Sequence, residues 1–314
     1  MRRLLLFAVL ASGQPAEIVY QHIATYGSKE GIHPPRIVNR KSIKAAIGEG
    51  EHPYGLGFPS SAVMDPKHRL WIADSGTSSV HIFDPPTGSY REIRRAGDSE
   101  LRQPSGLATD RQGYIYLTDS ALGAVFVFDQ EGEFDRPLIS KKSGHLLDTP
   151  DLIAASEDGR AIYVADAARR HLIAFNREGE LITTIGNDET PIDALAIAVI
   201  GSEIHVLDRI SHKIRVFSAG GVLRREWEWP EVRLPSAFAW DRRRELYFVV
   251  NPRWMAIQIF DRDGHNVGSF GNYGDSVQQM KAVQSLYVDA DGHVVAVDSH
   301  SGKVLVFGPA TLKH

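Results

Sequence analysis

The chain of 314 residues contains no cysteine, which excludes disulfides, thiolate metal sites and cysteine nucleophiles. It has no apolar run long enough to cross a bilayer as a helix: the best stretch, Leu4 to Ala11, falls well short of the roughly 20 residues required. No segment sustains the 3.6-residue spacing of apolar side chains that marks an amphipathic helix. Charge of one sign is also missing, since 35 Lys and Arg stand against 39 Asp and Glu, a net charge of -4. That balance gives no global reason to expect nucleic acid or an anionic membrane as a partner. Neither a nucleophile elbow nor a phosphate-binding loop is found.

What the chain does have is an internal repeat. Asp74/Phe83, Asp119/Phe128, Asp166/Phe175, Asp208/Phe217, Asn251/Phe260 and Asp298/Phe307 are pairs of constant nine-residue spacing, recurring every 42 to 47 residues. A fixed interval within each pair and a variable interval between pairs describe one unit copied six times, with insertions confined to loops. The second copy is the clearest. Gln103-Pro-Ser-Gly-Leu-Ala-Thr-Asp110, Tyr114-Ile-Tyr-Leu-Thr-Asp119 and Ala124-Val-Phe-Val-Phe-Asp129 are β-rich runs separated by turn residues, and a more polar run follows at about Glu133 to Ser140. In third runs such as Val125 to Phe128 and Val304 to Phe307, consecutive side chains are all apolar, so both faces of the strand are expected to be buried. Radial stacking of small four-stranded sheets achieves this. The expectation is an all-β, six-bladed β-propeller with blades beginning near 58, 103, 149, 192, 234 and 282.

The same residues resemble the NHL-repeat family of six-bladed propellers, whose unit runs Pro-x-Gly-aliphatic-Ala-x-Asp, x-x-Gly, then a β-rich run ending in Asp and a second ending in Val-Phe. Residues 103–129 match nearly every position and 58–84 most of them. The resemblance implies the fold; propellers of this kind serve as scaffolds, receptors and enzymes.

The sixth copy ends at its third strand, so residues 17–26 are expected to complete that blade by pairing with 303–307, leaving a long connection over 28–57. Met1-Arg2-Arg3, the apolar stretch after it and small residues near Gly13 read as a signal peptide over 1–13, with one propeller domain over 14–314. Export to the periplasm or outside the cell follows from that reading, and a cytoplasmic location if the leader is retained. A monomer is expected.

The repeated acids suit Asx turns, since six copies on six blades cannot converge on one ion. Aligned inner-strand starts place Ser60, Ser105, Asp151, Asp193, Ser236 and Gln284 around the channel mouth, where Asp151 and Asp193 are candidate ligands for calcium or zinc. The turns between second and third strands carry Arg169, Arg170 and His171, then Arg209 and His212, then Arg253 and Trp254, then His300; blades one and two offer only small residues there. Arginine forks suit carboxylates, sulfates and phosphates, and Trp254 suits a sugar or peptide. His171, His212 and His300 are spread over three blades, too far apart for a zinc trio, and His33, His52 and Tyr54 in the connection have no spacing that specifies a reaction. No catalytic residue is assigned. The residues favour a binding module for a protein, peptide or anionic glycan, held by the basic turns with Ser105 and Ser236. The alternative is a metal-assisted lyase or lactonase-type hydrolase at the channel mouth. DNA is not expected, and RNA would need exposed aromatics beside cations, which only Arg253-Trp254 obviously provides.

Overall fold

The structure, a computed structural model, describes residues 19–27, 55–139 and 146–309. The leader and most of the 28–57 connection, including His33, His52 and Tyr54, lie outside the described residues. Six four-stranded antiparallel sheets form in chain order, and no helix occurs among the described residues. Their inner strands are Pro59–Met64, Pro104–Thr109, Pro150–Ala155, Ala194–Ile200, Phe238–Asp241 and Val283–Val288. Each packs beside the next around the ring, and the sixth meets the first. The expected β-propeller is the fold.

Burial follows the sequence pattern. All five side chains of the third strand Ala124–Phe128 are buried, as are all five of Val294–Asp298. The six repeated phenylalanines lie at 5% exposure or less. Each contributes roughly 2 kcal/mol through burial. The core is divided among the seams between blades. In one seam Trp71, Ile82, Ile115, Leu117, Phe126 and Phe128 pack together, drawn from blades one and two. Gly106 serves another: a Cβ there would lie 2.8 Å from the Asp151 carbonyl oxygen and 3.1 Å from the Ile153 nitrogen, so a side chain would push blades two and three apart.

The N-terminal strand Tyr20–Tyr26 closes the ring against Lys303–Pro309, with Tyr26 opposite Val304 and Tyr20 opposite Pro309. A bulge between His22 and Ala24 adjusts the register. Tyr20 stacks on Phe270 at 4.8 Å and meets Phe248 edge-on at 5.3 Å, tying the closure to blade five. Thr25 donates to the Val277 carbonyl at 2.6 Å. A two-stranded ribbon, Arg95–Ala96 with Ser99–Glu100, precedes the second inner strand and has no counterpart in the repeat pattern.

The antiparallel meander puts the turns between second and third strands on the same face as the inner-strand starts, here the loop face. Turns between first and second strands lie on the opposite face.

Candidate functional site

The repeated acids are structural clamps. Asp74 is fully buried and accepts N–H bonds from Gly76 and Thr77 in its own turn, and from Gly57 and Phe58 at the entrance to the inner strand. Asp119 does the same with Leu122, Arg102 and Gln103, and Asp166 with Arg169, Asp148 and Thr149. Asp208 and Asp298 repeat it through Asp193 and Lys281. The Asx turn was legible, but the second half of each clamp, reaching 15 to 18 residues back, was not. Burial opposes ionisation of Asp74, yet a bond from His81 and the Phe58 and Gly57 amides hold its carboxyl below the usual range. Asn251 is the exception; its amide donates to Gln258 at 2.8 Å.

The three aligned serines at the mouth are all hydrogen-bonded, and two of them join neighbouring blades. Ser60 donates to the carbonyls of Pro104 and Ser105 at 3.1 and 2.8 Å, joining blade one to blade two. Ser236 donates to Val283 at 2.8 Å, joining five to six. Ser105 bonds within its own blade, to the Gln103 carbonyl and Ser120. In blade three the same position is Asp151, and there the pattern breaks. Its Oδ1 is buried with no hydrogen-bond partner. Burial pushes its carboxyl up to about 7, the charges of Asp193 and Asp166 add to the rise, and the Asp151 and Leu152 amides oppose it. Asp193 has its own cation in Arg209 at 3.4 Å, and Asp166 has Arg169 at 3.8 Å. Asp151 therefore carries the unanswered charge at the mouth.

The basic turns are less uniformly free than their sequence suggests. Arg169 is bound to Asp148 at 2.8 Å and Arg209 to Asp193, whereas Arg170, His212, Arg253 and His300 are exposed. His171 is not at a turn tip; it opens a strand opposite Asp166, with Nε2 buried and unpartnered. Arg253 lies over the Trp254 ring at 5.7 Å, and the indole is 55% exposed. Phe58, Ile210, Leu234 and Tyr273 are also exposed, and all sit in loops of this face. Half of the ten exposed large hydrophobics among the described residues thus lie on one face, largely over blades four to six. Among the described residues, Asp151 and Asp193 do not meet a histidine in a three-ligand group. The two groups that do form, His68/Asp289/Asp291 and Asp261/Asp263/His265, are turn acids of the opposite face.

No family model matches the chain. Its fold does match solved structures. One is a chain of Kuenenia stuttgartiensis hydrazine synthase, with a TM-score of 0.60 and 15% identity over 82% of this chain and 97% of that one. Another is a streptogramin B lyase, with a TM-score of 0.56 and 13% identity over 79% and 78%. At such identity these likenesses carry the propeller fold and nothing further.

Sequence reasoning named Trp254 but missed the other exposed hydrophobics of the loop face, because a lone Leu234 or Tyr273 between turn residues has no periodic signal. It also missed a bridge on the opposite face. Glu157 of blade three meets Arg242 of blade five at 2.5 Å and Arg111 of blade two at 3.3 Å.

Proposed function

We propose that this propeller is an exported binding module that holds an acidic protein or peptide segment on the loop face of blades four to six. The observation that carries this reading is the exposed Trp254 beneath Arg253, with Ile210, Leu234 and Tyr273 on neighbouring loops of the same face. Tryptophan, tyrosine and arginine are the side chains that dominate interface energetics, and a cluster of exposed apolar groups rimmed by charge is a recognition surface. Arg253 and, at the edge of this surface on blade three, Arg170 supply the charge, so the complementary segment is acidic with at least one apolar anchor. Binding of an array of immobilised acidic peptides and sulfated glycans by the wild type and by the Arg170→Glu, Arg253→Glu and Trp254→Ala variants tests this. A tenfold or greater loss in each variant is expected, and unchanged binding in all three would defeat the reading. Export is tested separately by the N-terminal sequence of the mature protein, which should begin near residue 14.

A second reading, metal-assisted lyase or lactonase-type chemistry at the channel mouth, is favoured by the protonatable Asp151. One of the similar structures is named as a lyase. Stoichiometric calcium or zinc in the purified protein would move the assignment toward this alternative.

A further inference from the structure

The channel differs along its circumference. In blade one, Ser61 to Met64 of the inner strand are buried. In blade four, every side chain from Leu195 to Ile200 keeps part of its surface exposed. In blade three Leu152 and Ala155 do so, and in blade six Leu286 and Val288. Inner strands form the channel wall, so the open part of the channel runs beside blades three, four and six. Its wall there is aliphatic along blade four and mixed along blade six, where Gln284, Ser285 and Tyr287 also keep exposed surface, and Ala155, Ala196 and Ala198 are smaller than Met64 and Trp240 on the other inner strands.

The two ends also differ. At the face opposite the loops, Glu157 draws Arg242 and Arg111 together, joining blades five and two through blade three. Arg242 reaches past blade four because the turn there is only Gly201-Ser202. Beneath the bridge Tyr287 donates to the Met64 carbonyl at 3.0 Å, closing the sixth blade onto the first. At the loop face no comparable bridge spans the mouth among the described residues. Asp151 stands there with a buried, unpartnered oxygen, next to the carboxylates of Asp166 and Asp193, each of which has its own arginine.

We infer that the channel is a pocket entered from the loop face, taking a ligand with an aliphatic body and a cationic head seated against Asp151. A largely aliphatic wall with a few convergent polar groups is the usual make-up of a small-molecule site. A carboxylate with one buried oxygen left unpartnered, and only backbone amides rather than a cation beside it, gains most from a ligand that brings its own positive charge, and the same desolvation that raises its pKa strengthens the contact. An anionic head would face Asp151, Asp166 and Asp193 together, and an uncharged one would leave Asp151 unanswered. This site is separate from the peripheral patch around Trp254.

Calorimetric titration at pH 8, where Asp151 is ionised, tests the inference with n-octylammonium, n-octanol and n-octanoate. One octylammonium per chain is expected, at least tenfold tighter than octanol, with octanoate weaker than both. Asp151→Asn should remove the preference for the cation and leave octylammonium and octanol equal. Ala198→Phe, which fills the channel, should weaken both at least tenfold, while Trp254→Ala should weaken neither. Octanoate binding as tightly as octylammonium, an unchanged preference in Asp151→Asn, or no saturable binding at millimolar concentration would each overturn it. Should Ala198→Phe not fold, the Asp151→Asn comparison decides alone.

Discussion

Replacing Asp151 with asparagine should stabilise the protein, and more so as pH rises. Burial, Asp193 and Asp166 hold the carboxyl at about 7 rather than 3.8. That difference corresponds to roughly 4 kcal/mol at 1.36 kcal/mol per tenfold change in proton affinity. Asp151 keeps part of its surface in the channel, where water screens it, so about 2 kcal/mol is the expected effect. The sign follows from proton binding. The folded state holds the Asp151 proton more tightly than the unfolded chain, so this group's contribution is most favourable while both are protonated. It declines as pH climbs above about 4 and is fully lost above about 7. Asparagine does not titrate. Urea denaturation followed by far-UV circular dichroism should therefore find Asp151→Asn more stable than wild type by at least about 2 kcal/mol at pH 8, and by clearly less at pH 5. Parallel stability profiles for the two proteins between pH 5 and pH 8 would refute the placement of Asp151 as a buried, uncompensated acid.

His205 should act on the acid side with the opposite sign. Burial lowers its imidazole to about 4, so its contribution is intact above about 6.5 and is lost as pH falls toward 4, by up to roughly 3 kcal/mol. His205→Gln should flatten that limb in thermal unfolding. Asp119→Ala leaves three backbone N–H groups without their acceptor and should cost about 3–5 kcal/mol by urea denaturation, with Asp119→Asn costing less because one oxygen is retained. Tyr20→Ala removes the ring stacked on Phe270 at the closure and should cost about 3–5 kcal/mol, read as a lowered denaturation midpoint. Trp254→Ala should change stability by no more than about 0.5 kcal/mol, because the indole is exposed; a larger loss would make it a packing residue rather than a recognition residue.

The fold was legible because the features that specify it are local and repeated. Asp74 to Phe83 spans a turn and a buried strand, and so does each of its copies, so the constancy of the interval reports blade construction directly. Closure by the N-terminal strand was legible for a related reason: a missing fourth strand leaves an edge, and the β-rich segment before the first copy fills it. The structure slides that pairing to 20–26 against 304–309, since register depends on a bulge at His22/Ala24 that no residue type announces. The site was legible only in part. Arg169 and Arg209 read as free cations because their partners, Asp148 and Asp193, lie 21 and 16 residues away in loops of no fixed length. Asp151 was picked out by alignment of the copies, but its lack of a partner depends on packing across a seam between blades.

The position aligned with Ser60, at the entrance to the inner strand, connects the architecture to the proposed chemistry. Where it is serine in blades one and five, the hydroxyl is spent on a carbonyl of the next blade. Those inner strands are largely buried, with Trp240 the main exception. In blades three, four and six the position holds Asp151, Leu195 and Gln284, none of which can make the serine stitch as an uncharged hydroxyl does; in blade four the pairing of Ala194 with Asp208 puts Leu195 there, two residues on from the Asp193 that the sequence alignment placed. These same three strands keep exposed surface along the channel, continuously in blades four and six and at Asp151, Leu152 and Ala155 in blade three. Blade two is intermediate: Ser105 turns back onto its own blade, and Gly106 lets blade three approach instead. Departure from the repeat thus coincides with open channel wall. A ring maintained only for its own stability would gain from serine at all six positions, so the three exceptions mark the side of the channel on which a ligand has room. Restoring the stitch there with Asp151→Ser should tighten that seam and abolish the preference for octylammonium, coupling the loss of the proposed site to a gain in stability at pH 8.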